Sequence, residues 1–272
     1  MYIRKNRVRE KLKNGELVLG MEVWLRDPRA VEFIGQAGFD IAHIEYEHVA
    51  RDWESVENMV RAAELYGMTP LFRTEQCFNN QPPVNQIIKA LKCGAQIIMV
   101  PHVETADEAR MIVDAMKFAP IGHRGLATCD RSGTAMFPND QVGLDVMQYA
   151  REANEATMNF CIIESPLGVK NIDAILAVDG IDVVGFGHQD YALAAGYSAD
   201  DDPRIVEARE KVREAVKRSG KQMWWNTLDP ASIAEQSPKG IQIFLMGVDT
   251  IYLDRELRRL AREARQGFPT RG

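Results

Sequence analysis

Gly94-Ala-Gln-Ile-Ile-Met-Val-Pro101, followed by His102-Val-Glu-Thr105-Ala-Asp-Glu108, is the stretch on which the fold turns. Gly94 sits where a helix should end, supplying a left-handed residue that turns the chain. The apolar run after it is short, which suits a buried strand over 95–101. Thr105-x-x-Glu108 is a capping box and opens the next helix. Working outward, the same unit recurs. Strands are expected near 17–24, 39–45, 68–74, 95–101, 158–164, 181–187, 221–227 and 241–248, with helical segments between them. Strands alternating with helices form a parallel sheet, and eight of them in 272 residues suggest one (β/α)8 TIM barrel domain spanning 1–272, a fold that typically takes about 250 residues. Asp27-Pro28, Asp202-Pro203 and Asp229-Pro230 each put a capping carboxylate before a proline at the first helical position. Gly38, Gly67 and Gly220 end helices as Gly94 does. One connection, 102–157, is longer than a single helix needs. Its middle, from Ala119-Pro-Ile-Gly-His-Arg-Gly-Leu-Ala127 to Phe137-Pro-Asn-Asp140, reads as a lid, a binding loop or a subunit-contact loop. Residues 253–266 read as a charged C-terminal helix suited to oligomer packing.

Composition narrows the function. The chain is 46% hydrophobic and 26% charged, which is globular. Its net charge of −6 argues against nucleic-acid binding, which calls for a clustered basic face. Cys77, Cys93, Cys129 and Cys161 lack a C-x-x-C spacing and read as reduced thiols. The basic N-terminus is followed by no apolar run of a signal peptide, and no stretch nears the roughly 20 apolar residues of a membrane span. A cytoplasmic protein is expected, with no membrane partner.

Catalytic groups in such a barrel lie at the C-terminal ends of the strands. Those ends offer Glu45, Glu47, His48, Arg73, His102, Glu164, His188 and Asp190. Glu164 and Asp190 fall one β–α unit apart, at equivalent ends of neighbouring strands. Two carboxylates so placed, with positions left for water and substrate oxygens, suit Mg2+ or Mn2+, though a bare carboxylate is more often a cap or a solvated end. Arg73 lies in the apolar run Met68-Thr-Pro-Leu-Phe-Arg73 and must find an anion, because an unpaired buried charge is costly. That anion is either Glu47 or Glu75, or a substrate carboxylate. His48 is a general base or a structural histidine. Gly185-Phe-Gly187-His188-Gln189-Asp190 is a small-residue turn whose N–H groups could hold a carboxylate. Neither a G-x-G-x-x-G nor a P-loop is present, and Trp224-Trp225 reads as packing.

Together these segments resemble a known family. Gly20-x7-Pro28-x3-Glu32, Ala37-Gly-Phe-Asp40, Glu45-Tyr-Glu-His48, Leu71-Phe-Arg73, Gly94 to Pro101, Pro120-Ile-Gly-His-Arg124-Gly125, Ile163-Glu164-Ser-Pro-Leu-Gly168, Gly185 to Asp190 and Met246-Gly-Val-Asp249 follow in order at compatible spacings. The set resembles the HpcH/HpaI aldolases, metal-dependent 2-oxo acid aldolases of the phosphoenolpyruvate/pyruvate barrel superfamily. The resemblance implies that Glu164 and Asp190 bind Mg2+, Mn2+ or a similar ion such as Co2+. A 2-oxo acid such as pyruvate would chelate that ion, and Arg73 would neutralise the enolate as the bond to an aldehyde breaks or forms. It further implies that His48 moves a proton through water, and that backbone N–H groups of Gly187, His188 and Gln189 hold the carboxylate. Members of this family are often hexamers whose C-terminal helices exchange, so a homo-oligomer, trimer or hexamer, is expected.

This sequence departs from the family pattern at several places. Glu45 stands where Asp is usual, and Lys92 where an Asp usually pairs with the histidine base. Ile162 replaces a Gln, and the usual Gly-Pro-x-Asp turn reads Gly187-His188-Gln189-Asp190. His188 or His102 could then take over the proton shuttle. The leading reading is a class II aldolase. A condensing synthase or citrate-lyase-like enzyme would use the same enolate. Lys92 also admits a non-catalytic barrel that binds a 2-oxo acid or serves as a scaffold.

Overall fold

The computed structural model describes residues 2–127, 130–133, 145–197 and 202–268. Eight strands close a parallel barrel in sequence order: β1 (Val18–Val23), β2 (Ile41–Ile44), β3 (Thr69–Arg73), β4 (Ile97–Val100), β5 (Met158–Ile163), β6 (Val183–Phe186), β7 (Gln222–Asn226) and β8 (Ile243–Val248). Each lies inside the expected range, trimmed at the ends where pairing gives way to turns. The ring is completed by β8 against β1, with Val18 opposite Ile243, and the register shifts between Gly20 and Glu22.

Helix α1 (Arg7–Lys13) precedes the barrel, and α2 (Pro28–Gln36), α3 (Trp53–Leu65), α4 (Val84–Cys93) and α5 (Ala106–Met116) each follow a strand. Then come α6 (Val146–Ala156), α7 (Pro166–Lys170), α8 (Ile172–Leu176), α9 (His188–Ala195), α10 (Pro203–Ser219), α11 (Ala231–Gln236) and α12 (Asp249–Gln266). Among the described residues, the long connection therefore carries two helices, α5 and α6. Phe137–Asp140, like Cys129, lies outside the described residues.

Local signals act as their chemistry dictates. Asp27 and Asp202 cap α2 and α10, each with a proline opening the helix, and Thr105 and Glu108 form the reciprocal box at α5. At Asp229-Pro230 the helix starts one residue late: Pro230 precedes α11, while Asp229 Oδ1 still accepts from the Ala231 N–H at 2.9 Å. Gly38, Gly67, Gly94 and Gly220 all have positive φ.

Two apolar layers hold the barrel. Inside it, Val18, Ile41, Leu71, Ile97, Phe160, Val183, Trp224 and Ile243 pack with Val8 of α1, which plugs the N-terminal mouth. Outside it, the other strand faces pack on the surrounding helices. Ile162, where a glutamine was usual, belongs to the interior layer. Ion pairs such as Lys11 with Asp40 and Arg9 with Asp182 tie α1 over this mouth, so the other mouth is the open one. Helix α12 buries none of its residues; Leu253, Leu257 and Leu260, at helical spacing, stay exposed.

Candidate active site

The open mouth holds a chain of buried charges. Glu22 on β1 lies opposite His43 on β2 in the strand register, and Glu45 follows β2 fully buried. The Trp24 indole donates to Glu22 Oε1 at 2.5 Å. Burial, and next the Glu45 carboxylate, push the Glu22 carboxyl up to about 7. Its neighbour shifts the other way: burial disfavours the Glu45 charge, yet Arg73, His43 and the His48 N–H hold its carboxyl below the ordinary range. Near neutral pH, Glu45 is thus the anion of the pair, while Glu22 binds its proton far more tightly. Burial lowers His43 to about 4, leaving it neutral; both its ring nitrogens lack a hydrogen-bond partner.

Arg73, at the end of β3, takes up that negative charge. Its Nη1 lies 3.4 Å from Glu45 Oε2, and Nη2 pairs closely with Glu47 Oε2. Burial works against the guanidinium charge, but Glu45, Glu47, Glu164 and Glu22 outweigh it and hold the pKa above its ordinary value. Glu47, and not Glu75, thus joins Glu45 in pairing with Arg73. His48 is half exposed. Its Nε2 lies 3.3 Å from Glu47 Oε2, its N–H donates to Glu45 Oε1 at 2.9 Å, and its ring tilts against Trp24. Lys92 lies in the last turn of α4, which feeds β4 at the plugged end of the barrel, so within one chain it does not bear on His48.

Across the mouth, Glu164 follows β5 with 2% of its surface exposed and accepts the His102 N–H at 2.9 Å. Burial raises its carboxyl to about 7; Arg73 opposes the shift, and Asp190 adds to it. Asp190 sits in the first turn of α9. Ligand atoms of His102, Glu164 and Asp190 all lie within 4.8 Å of one another. Gly187 makes room for this cluster, because a Cβ there would come within 2.3 Å of Glu164 Oε2. The donor set fits a divalent cation: a buried carboxylate kept short of positive charge, a second carboxylate beside it, and an open side toward solvent.

The turn itself needs a correction. The Gly187 N–H already donates to Ile163 O at 3.1 Å, because it extends the β5–β6 pairing. His188 and Gln189 follow it in the first turn of α9. The His188 ring is on the rim beside Arg209 and Trp225. Glu22 and His43 were not foreseen. The signal that singled out Arg73, a polar group inside an apolar run, was equally present in Leu19-Gly-Met-Glu22-Val and Ile41-Ala-His43-Ile.

Fold and site define a TIM-barrel enzyme built around a guanidinium and a carboxylate pair able to hold a metal. The chain belongs to the HpcH/HpaI aldolase/citrate lyase family, whose model matches residues 20–253, and it is a carbon–carbon lyase of the aldolase type. It is 30% identical over 265 residues to a hydroxypyruvate/pyruvate aldolase of Pseudomonas aeruginosa, covering 97% of this chain and 94% of the relative. Among solved structures, an HpcH/HpaI aldolase from Desulfitobacterium hafniense superposes with a TM-score of 0.85 at 26% identity, covering 96% of this chain and 97% of the other. The citrate synthase SbnG gives 0.84 at 28% identity, covering 95% and 97%.

The carboxyls raised to about 7 fix a pH dependence. Glu22 is lifted from 4.5 to about 7 on folding, so between those values the folded state binds more protons than the unfolded one. Stability of the metal-free protein therefore falls as pH rises through this window. Urea unfolding from pH 5 to pH 8 should show that loss, and Glu22→Gln should remove on the order of 1–3 kcal/mol of it.

Proposed function

We propose that this aldolase joins or cleaves a 2-oxo acid such as pyruvate or hydroxypyruvate and an aldehyde, using a divalent metal held by Glu164 and Asp190. The observation that carries the reading is Arg73, buried and held protonated by carboxylates on one side while within the electrostatic reach of Glu164 on the other. Glu164 and Asp190 would hold the metal, which would supply Lewis-acid charge that favours the enolate. Arg73 supplies a fixed positive charge toward the same developing anion, and its ion pairs set its orientation before substrate arrives. In the cleavage direction His48 Nε2 takes the hydroxyl proton through water, the oxygen's pair forms the aldehyde carbonyl, and the broken carbon–carbon bond's pair stays with the 2-oxo acid as its enolate. Protonation of that enolate yields the 2-oxo acid. Glu47 steadies the imidazole that carries the proton. The first-turn N–H groups of His188 and Gln189 suit the substrate carboxylate, since a helix N-terminus favours anions.

A second reading keeps the enolate and replaces the aldehyde with another electrophile, favoured by the likeness to SbnG. Helix α12, with its exposed leucines, suits packing against other copies in a trimer or hexamer. Buried free thiols at Cys77, Cys93 and Cys161 suit the cytoplasm, and among the described residues no helix is long and apolar enough to cross a membrane.

Incubating the Mn2+-loaded protein with pyruvate in deuterated water should place deuterium in the methyl group, read by mass spectrometry. Arg73→Ala and Glu164→Ala should each slow it by about 100-fold or more. Exchange indifferent to both substitutions would refute the assignment. Light scattering on Leu253→Glu/Leu257→Glu should show a smaller assembly than the parent; an unchanged mass would remove α12 from the interface.

A further inference from the structure

We propose that His102 is a third protein ligand of the metal, and that its imidazole turns the centre toward Mn2+, Co2+ or Zn2+ and away from Mg2+. This rests on the reading that Glu164 and Asp190 hold the ion.

His102 directly follows β4 and Pro101. Its φ of 54° is left-handed, uncommon for a residue with a side chain. That conformation turns both its N–H and its ring toward β5. The N–H donates to Glu164 Oε1 at 2.9 Å, and the ring Nε2 lies 3.7 Å from the same oxygen. At 3.7 Å the imidazole is not hydrogen-bonded to the carboxylate. It stands instead near the separation of two donors sharing one first-row cation, about 3–3.5 Å for bonds of 2.0–2.2 Å. One ligand atom each of His102, Glu164 and Asp190 lie within 4.8 Å of one another.

The other histidines are otherwise engaged or placed. His43 is buried beneath the mouth, His48 faces Glu47, His123 pairs with Asp114, and His188 sits on the rim. Among the described residues, His102 is therefore the imidazole facing the Glu164–Asp190 pair. Oxygen-only sites suit Mg2+, which gives up its waters reluctantly, whereas an imidazole nitrogen is a better ligand for first-row transition ions than for Mg2+, for Co2+ and Zn2+ more than for Mn2+. A ligating nitrogen is also withdrawn from proton transfer, which leaves the shuttle to His48 and not to His102.

Pulsed EPR of the Mn2+-loaded protein reads the ligand directly, because a coordinated imidazole nitrogen modulates the electron spin echo. The parent and His188→Ala should show 14N modulation. His102→Gly, whose backbone accepts the positive φ, and His102→Asn should lose it. Both should bind Mn2+ at least about tenfold more weakly, while Mg2+ affinity, read by competition, changes less than about twofold. Mn2+ that is lost on Glu164→Ala yet shows no 14N modulation in the parent, or modulation that survives His102→Gly, would overturn His102 as a ligand and leave the carboxylate site standing. Mn2+ binding unchanged by Glu164→Ala would overturn the site itself, and this inference with it.

Discussion

One guanidinium sets the terms for everything at the open mouth of the barrel. Arg73 is the positive charge around which Glu22, Glu45, Glu47 and Glu164 are gathered. Buried carboxylates without a counter-charge would take up protons or force the strands apart. The solution is graded. Of the two carboxyls against the guanidinium, Glu45 is held below the ordinary range while burial still raises Glu47, and Glu22 and Glu164, farther from it, are raised to about 7. The first pair fixes Arg73 in place; Glu164 is left wanting a cation, which is the property a metal site needs.

The barrel makes this distribution unavoidable. Closure brings the ends of β1, β2, β3, β5 and β6 around one opening, and α1 seals the other end with Val8. Below the charges, Leu71, Ile97 and Phe160 fill the interior and exclude water. Low polarity beneath the site strengthens each electrostatic interaction within it. Gly187 lets the β6–α9 turn approach Glu164 so closely that any side chain there would displace it.

The framework was legible because its signals are local. Apolar runs, the capping box at Thr105 and the glycines at helix ends depend on neighbours in sequence, and all eight strands follow from them. Residues at strand ends were legible through the barrel rule, which brought out Arg73, His48, Glu164 and Asp190. What was not legible depends on side-chain direction and on distant partners. Glu22 and His43 were hidden because a strand residue faces inward or outward according to register, and the register shift between Gly20 and Glu22 lies just where that choice is made. Lys92 was read against His48 by alignment to a pattern, whereas the path of α4 carries it to the opposite mouth. The Gly187 N–H looked available until the pairing of β5 with β6 claimed it.

The central claim is that Arg73 is held by, and makes tolerable, the buried carboxylates around it. Urea unfolding of the metal-free protein at pH 7.5 tests it through Arg73→Met and the double variant Arg73→Met/Glu45→Gln. Removing one partner of a buried pair should cost about 3 kcal/mol, and removing the orphaned charge as well should recover much of that loss. If Arg73→Met costs nothing measurable, or Glu45→Gln deepens the loss, then the carboxylates are accommodated by some other means and the account of the site is wrong.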